Sequence, residues 1–221
     1  MRANVKEENM ASAWEKVSVD NSEMPLYVSL PERGGPVPGI VVVHGQSGLE
    51  DFIKDTTHML ALQSYAAVAP NLYHRDGPDC KDDNPTRKAR LRDDGIIKDI
   101  NAAIGSLKNH SRVDGKRLGI VGFCMGGRIV YLMSAASRAL KAGVMFYGSG
   151  IMVPFVEGPP PFQRTREIGC PIQGHFGAED KNPSPEDMRK LDAELNRFDK
   201  PHEFHVYAGA AHAFANTGSA N

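Results

Sequence analysis

The chain has few of the residues that mark a secreted, membrane-spanning or nucleic-acid-binding protein. Only three of its 221 residues are cysteine, an odd and small number that cannot form a disulfide framework. Lys and Arg together number 26 and Asp and Glu 27, so the formal charge of −1 provides no basic surface for nucleic acid or anionic membranes. The longest dense apolar run, residues 39–43, is far shorter than the ~20 residues of a membrane span. The first eight residues also lack the apolar segment of a signal peptide. We therefore predict a cytoplasmic protein with reduced thiols that binds neither nucleic acid nor membrane.

Short apolar segments separated by Gly and Pro run along the whole chain, whose length favours a single domain over residues 1–221. Residues 15–19 and 25–30 alternate and predict an N-terminal hairpin. Further strands are predicted at residues 40–43, 66–69, 118–121, 142–146, 172–176 and 203–207. Helices are predicted at residues 51–63, 125–136 and 185–196, and residues 74–93 are predicted to be a charged surface loop that leads into a helix ending near residue 108. In the helix at 51–63, the apolar candidates are Phe52, Met59, Leu60 and Leu62.

Strands that alternate with helices predict the fold class. Right-handed crossovers give a doubly wound, mostly parallel sheet with helices on both faces, here preceded by the hairpin. In such sheets, ligands bind outside the carboxyl ends of the strands. Residues that directly follow a predicted strand are therefore the first candidates for chemistry.

The segment GFCMGG at residues 122–127 lies between a predicted strand and a predicted helix. This pattern matches a nucleophile elbow in which Cys124 takes the position of serine. A thiol at a helix N-terminus has a lowered pKa, and the backbone N–H of Met125 is a suitable oxyanion donor. The alternative is that Cys124 is a small buried apolar residue and that the glycines only allow close packing.

An acid and a base also follow predicted strands. Asp180 comes after the strand at 172–176, and His212 lies in a small-residue loop after the strand at 203–207. Alone, Asp180 could be a helix cap and His212 a loop residue without a role. The order nucleophile, acid, base, with gaps of 56 and 32 residues, is that of α/β-hydrolase triads.

The sequence resembles the dienelactone hydrolase family, the carboxymethylenebutenolidase-like branch of the α/β-hydrolases. The matching segments are APNLY at 69–73, VGFCMGG at 121–127, GAED at 177–180 and HAFANTG at 212–218. The resemblance implies a Cys124–His212–Asp180 triad that hydrolyses a small-molecule ester or lactone through an acyl-thioester. It also implies that the backbone N–H of Gln46 is the second oxyanion donor. No cofactor or metal is expected.

The sequence departs from this family at three places. A glutamate that contacts the resting thiol in members acting on dienelactone falls on Gly45 here, which favours direct activation of the thiol by the histidine. Of the two arginines that hold a substrate carboxylate, one matches Arg75 and the other falls on Asn216, so an anionic substrate is less favoured. Arg75, Tyr73 and Tyr147 are our candidate substrate-binding residues. Only nine residues follow the candidate base, and we expect the closing helix of the family to be missing.

Three alternatives to a hydrolase of this fold remain open. A flavodoxin-like amidotransferase or deglycase would also carry a cysteine elbow, but without the late acid and the His-x-Phe loop. A metal site is disfavoured because His202 and His205 fall on opposite faces of a strand and no C-x-x-C pair occurs. A catalytically inactive hydrolase-like scaffold that binds a small molecule or partner is the main alternative. The sequence is compatible with a monomer or a homodimer.

Overall fold

The computed structural model describes residues 11–32, 34–77 and 79–216, and its centre is one eight-stranded sheet. The strands are β1 (Ala11–Val19), β2 (Ser22–Leu30), β3 (Val37–Val43), β4 (Ala66–Pro70), β5 (Val113–Phe123), β6 (Leu140–Phe146), β7 (Ile172–Gly177) and β8 (His202–Tyr207). Their order is β1-β2-β4-β3-β5-β6-β7-β8. Only β2 runs against its neighbours, and all other pairs are parallel. The predicted mostly parallel, doubly wound sheet is therefore confirmed.

The N-terminal hairpin is also confirmed. β1 and β2 pair antiparallel from Ala11 opposite Leu30 to Val19 opposite Ser22. The two turn residues, Asp20 and Asn21, have φ values of 48° and 62°. A two-residue hairpin turn with both φ values positive matches the right-handed twist of its strands, and Asp and Asn tolerate that conformation better than most residues.

The described residues form five α-helices: α1 (Asp51–Leu62), α2 (Asn84–Ala89), α3 (Asp93–Asn109), α4 (Met125–Ala136) and α5 (Pro185–Arg197). Of the four apolar candidates in α1, Phe52 and Leu60 pack against the core, whereas Met59 and Leu62 are 54% and 48% exposed. The buried stripe is instead Ile53, Thr57 and Ala61, spaced four residues apart. Thr57 is tolerated there because its hydroxyl donates to the carbonyl of Ile53 at 2.7 Å.

Residues 74–93 contain more structure than the loop and helix start predicted from the sequence. A 3₁₀ turn at His74–Asp76 is followed by the short helix α2, and a separate helix, α3, begins only at Asp93. The Asp83 side chain caps α2 by accepting from the Thr86 N–H at 2.9 Å, and Pro85 lies in its first turn. High charge concealed this short helix, since none of its six residues is buried.

Apolar side chains fill both sides of the sheet. The larger cluster joins α3 and α4 to one face, and a smaller one joins α1 to the other around Val42, Ile53 and Phe123. At the sheet edge, Val206 and Tyr207 of β8 are 57% and 41% exposed. No helix follows β8 up to residue 216, and residues 217–221, with the last two of the HAFANTG segment, lie outside the described range. None of the helices in this range is long and apolar enough to cross a membrane.

Candidate active site

The chain bends sharply between β5 and α4, and Cys124 is at the bend. Its φ of 55° and ψ of −117° lie outside the regions that a residue with a side chain normally adopts. Glycine is required on both sides of it. A Cβ at Gly122 would lie 2.2 Å from the carbonyl oxygen of Gly126, and a Cβ at Gly126 would lie 2.2 Å from that of Val43. The close packing of strand and helix therefore presents the thiol at the carboxyl edge of the sheet.

Asp180 and His212 meet beside this bend, each supplied by a loop that follows a strand. The Asp180 Oδ2 atom lies 2.8 Å from Nδ1 of His212. The other carboxylate oxygen accepts the backbone N–H of Asn182 at 2.9 Å, and Asp180 is only 4% exposed. A carboxylate held in this way fixes the proton of the imidazole on Nδ1 and leaves Nε2 for other chemistry. The His212 ring also packs edge-on against Tyr147, with centroids 5.1 Å apart.

The Cys124 thiol and the His212 imidazole shift each other's pKa. The hydrogen bond to Cys124 raises the pKa of His212 to about 9, while burial opposes this rise and Asp180 supports it. Burial alone would raise the pKa of Cys124, but hydrogen bonds from His212, the Ser149 hydroxyl and the Met125 amide outweigh it and lower that pKa. Both shifts favour a thiolate paired with an imidazolium.

Gln46 lies in the loop after β3, next to the elbow because β3 and β5 are neighbours in the sheet. Two buried contacts hold this loop. The Tyr73 hydroxyl donates to the Gln46 carbonyl at 2.8 Å, and Nδ1 of His44 lies 2.6 Å from the Gly45 carbonyl oxygen. Burial lowers the pKa of His44 to about 4, so its ring is neutral, donates at Nδ1 and accepts the Leu72 N–H at Nε2. The carbonyl groups of Gly45 and Gln46 are therefore both held by hydrogen bonds.

Gly45 faces Cys124 directly. A Cβ built on it would lie 3.4 Å from the Cβ of Cys124. A side chain at position 45 would thus point toward the thiol, and glycine places no carboxylate there. The negative charge of the thiolate is not opposed by an acid from this position.

A cavity of about 740 Å³ opens above the thiol. The loops that follow β3, β5, β6, β7 and β8 all contribute to its wall, including Gln46, Cys124, Tyr147, Asp180 and His212. Tyr73 lies behind this wall, 2% exposed, with its ring against His44 and Arg87. The structure therefore brings Tyr147 to the cavity as a lining residue, whereas Tyr73 supports the loop that carries Gln46.

Arg75 is not brought to this cavity, and we correct its expected role. Its guanidinium donates twice to the buried carboxylate of Asp99, at 2.7 and 2.8 Å, and once to Asp20 at 3.3 Å. It lines a different cavity of about 220 Å³. Asp99, fully buried on α3, needs a counter-charge, and His74 also lies 3.2 Å from it. A motif match cannot reveal this competing partner, because Asp99 comes 24 residues later in the chain.

Ser149 and Lys88 line the cavity but were missed by the sequence analysis. Ser149 comes three residues after the end of β6, so the rule that found the triad candidates also applied to it. Its Oγ lies 3.5 Å from the sulfur of Cys124. Lys88 belongs to α2, which the sequence did not predict as a separate helix, and no local pattern placed it near the thiol.

Metal-binding side chains are not grouped in the described part of the chain. No set of three or more His, Cys, Asp or Glu residues there could hold an ion. His202 pairs with Asp192 at 3.0 Å, whereas His205 pairs with Glu203 at 3.1 Å and stacks on His175.

Comparisons with known proteins agree with this fold. The model of the dienelactone hydrolase family matches residues 24–221. A protein of Methylorubrum extorquens assigned as a carboxymethylenebutenolidase is 32% identical over 90% of this chain and 70% of its own length. One of Escherichia coli with the same assignment is 31% identical over 93% of this chain and 78% of its own length. The crystal structure of a protein from Klebsiella pneumoniae, assigned as a dienelactone hydrolase, has a TM-score of 0.85 at 29% identity and covers 93% of this chain and 88% of its own. The chain belongs to the dienelactone hydrolase family.

Proposed function

We propose that this enzyme hydrolyses an ester or lactone of a small molecule through a Cys124–His212–Asp180 triad and an acyl-thioester. The observation that carries the proposal is the bond of 2.8 Å between Asp180 and His212 beside a cysteine at a strained elbow. Acyl transfer requires a nucleophile, a base that can reach it and an acid that orients the base. In this proposal Cys124, His212 and Asp180 fill these three roles.

In the first half of the reaction, the thiolate of Cys124 attacks the substrate carbonyl carbon and a C–S bond forms. The carbonyl π electrons move to oxygen, where the backbone N–H groups of Met125 and Gln46 stabilise the developing charge. As the tetrahedral species collapses, the C–O bond breaks. The leaving alkoxide takes the Nε2 proton of His212, so the imidazolium acts as the acid.

In the second half, the sulfur carries an acyl group and no charge. The largest cause of the raised pKa of His212 is then lost, so its ring stays unprotonated at neutral pH and is available as the general base. It takes a proton from water, whose oxygen attacks the thioester carbonyl. The C–S bond breaks, the thiolate returns to pair with the protonated His212, and the carboxylic acid product leaves its proton to solvent.

A small substrate is supported by the cavity of about 740 Å³, which falls within the range of ligand pockets. The assignments of the relatives as carboxymethylenebutenolidases support a lactone. The cavity wall carries two cationic side chains, Lys88 and Lys181, and two acidic ones, Glu50 and Glu179.

We propose that the enzyme works in the cytoplasm as a monomer or homodimer. All three cysteines, Cys80, Cys124 and Cys170, are free, which supports a reducing compartment.

The test is hydrolysis of p-nitrophenyl acetate and of a dienelactone by the wild type and by Cys124→Ala. We expect the variant to lose at least about 10³-fold in kcat/KM with its circular dichroism unchanged. Rapid quenching of the wild type should give a Cys124 peptide heavier by one acyl group. Equal rates of wild type and variant would instead favour the alternative, an inactive scaffold that binds a small molecule.

A further inference from the structure

We propose that Ser149 is a further catalytic residue, whose hydroxyl donates a hydrogen bond to the Cys124 thiolate in the resting enzyme and again when the thiolate leaves the acyl group. This inference rests on the proposed function, because it assigns a role toward the same sulfur. The Oγ–Sγ distance of 3.5 Å lies within the range of hydrogen bonds to sulfur.

Among the described residues, the Ser149 hydroxyl is the buried hydroxyl that contacts the sulfur of Cys124. Ser134 donates to the Val130 carbonyl at 2.8 Å and Thr57 to the Ile53 carbonyl at 2.7 Å, each one helical turn back. Ser149 is 7% exposed, and within the described residues its one side-chain hydrogen bond is to Cys124. A buried hydroxyl needs a hydrogen-bond partner. For Ser149 that partner is the sulfur of Cys124.

The backbone around Ser149 is fixed on both sides of the residue. Its own N–H donates to the Cys124 carbonyl at 3.2 Å, which ties it to the elbow. The next carbonyl, that of Gly150, accepts from Nε of Arg128 at 3.1 Å. Arg128 is fully buried, and its guanidinium is held by the carboxylate of Asp93 at 2.5 and 3.0 Å. The hydroxyl is therefore positioned before any substrate arrives, so orienting it costs little during the reaction.

The negative charge on the Cys124 sulfur explains why a hydroxyl is suited to position 149. A carboxylate near the sulfur would oppose the thiolate, and Gly45 places none there. A hydroxyl is neutral and can donate, so it joins the Met125 amide and His212 as a third donor. In the acyl-thioester the sulfur is uncharged and this bond weakens. It forms again as the C–S bond breaks and the electron pair returns to sulfur.

The test follows the pH dependence of alkylation by iodoacetamide, which forms a C–S bond and releases iodide. The rate is read from the Cys124 peptide by mass spectrometry, so that Cys80 does not contribute. In Ser149→Ala we expect the midpoint of the pH profile to rise by about 0.5–1 unit, and the rate at a pH well below the wild-type midpoint to fall about three- to tenfold. Above the midpoint the variant should react as fast as the wild type or faster, because a more basic thiolate is the better nucleophile.

Two further variants keep this test decisive. Ser134→Ala removes a buried hydroxyl from α4, the helix that follows Cys124, and its alkylation profile should equal that of the wild type. Ser149→Gly should reproduce the shift if Ser149→Ala fails to fold. A merely structural role for Ser149 would lower the rate at every pH and would leave the midpoint in place, which would overturn the inference.

The outcome also separates this inference from the proposed function. If Cys124→Ala retains turnover, the triad is wrong whatever Ser149 does. If Cys124 is essential but both Ser149 variants titrate like the wild type, the triad stands and the role of Ser149 is wrong. An acyl group found on the Ser149 peptide would make it a nucleophile and would overturn both.

Discussion

Asp180 Oδ2 and His212 Nδ1 lie 2.8 Å apart although 32 residues separate them in the chain. The loops after β7 and β8 bring them together, because these two strands are parallel neighbours and end at the same edge of the sheet. Asp180 is buried and accepts a second bond from the backbone, so it orients the imidazole without needing to move.

Replacing Asp180 with Asn should therefore lower kcat by about 10²–10⁴-fold, since the amide no longer fixes the tautomer of His212 or stabilises its protonated form. Steady-state kinetics with p-nitrophenyl acetate measure this loss. A matched control is Asp192→Asn, which alters a similar Asp–His pair with His202, neither residue of which lines the cavity. The prediction fails if both variants lose the same activity.

The charge on Cys124 controls the titration of His212. Because the bond to Cys124 is the largest cause of the raised pKa, Cys124→Ser should lower the pKa of His212 well below about 9. Nuclear magnetic resonance of labelled histidine measures this directly. A pKa raised above 6.5 stabilises the fold fully below about pH 6.5, and this stabilisation is lost as the pH rises through about 9. An unchanged pKa in the serine variant would show that the thiolate is not the partner.

Arg75 should matter for stability and not for substrate affinity. Arg75→Met removes the bidentate partner of the buried Asp99 and should reduce the free energy of unfolding by about 1–3 kcal/mol, with KM unchanged. Urea denaturation and steady-state kinetics measure the two effects. Arg164→Met, which breaks an exposed pair with Glu167, should cost at most about 1 kcal/mol. A raised KM at normal stability would return Arg75 to the substrate site.

Tyr73 supports the loop that carries Gln46. Loss of its bond to the Gln46 carbonyl in Tyr73→Phe should lower kcat by about three- to tenfold, because the oxyanion donor becomes less well positioned. The control is Tyr65→Phe, at a tyrosine that is 36% exposed and outside this loop. Equal values of kcat for the two variants would contradict a positioning role for Tyr73.

Gly126 should tolerate no side chain. Gly126→Ala places a Cβ 2.2 Å from the Val43 carbonyl oxygen, both atoms belonging to rigid elements, and should cost at least about 4 kcal/mol of stability. Gly105 lies within α3 with no atom within 4 Å of a built Cβ. Gly105→Ala should therefore stabilise the protein by about 0.5–1 kcal/mol. Thermal unfolding of the two variants should move in opposite directions.

The order of the strands and of the α-helices other than α2, the elbow and the three triad candidates could all be read from the sequence. Each depends on residues close together in the chain: a β-branched run such as residues 40–43, glycines on either side of Cys124, or a polar residue just after a strand. Local backbone preferences and the position of a residue relative to its own strand act within a few residues, so they remain visible in the linear order.

The tertiary structure decided which partners these residues have. Whether Arg75 faces the thiol or Asp99, and whether the Ser149 hydroxyl reaches the sulfur, depends on atoms supplied by segments 24 and 25 residues away. A buried charge takes whichever counter-charge the packing brings near, and a hydroxyl bonds to the nearest acceptor. These partners are chosen only when the sheet assembles. For that reason the sequence by itself determined that Cys124, the proposed nucleophile, lies at the elbow, but not which groups surround it.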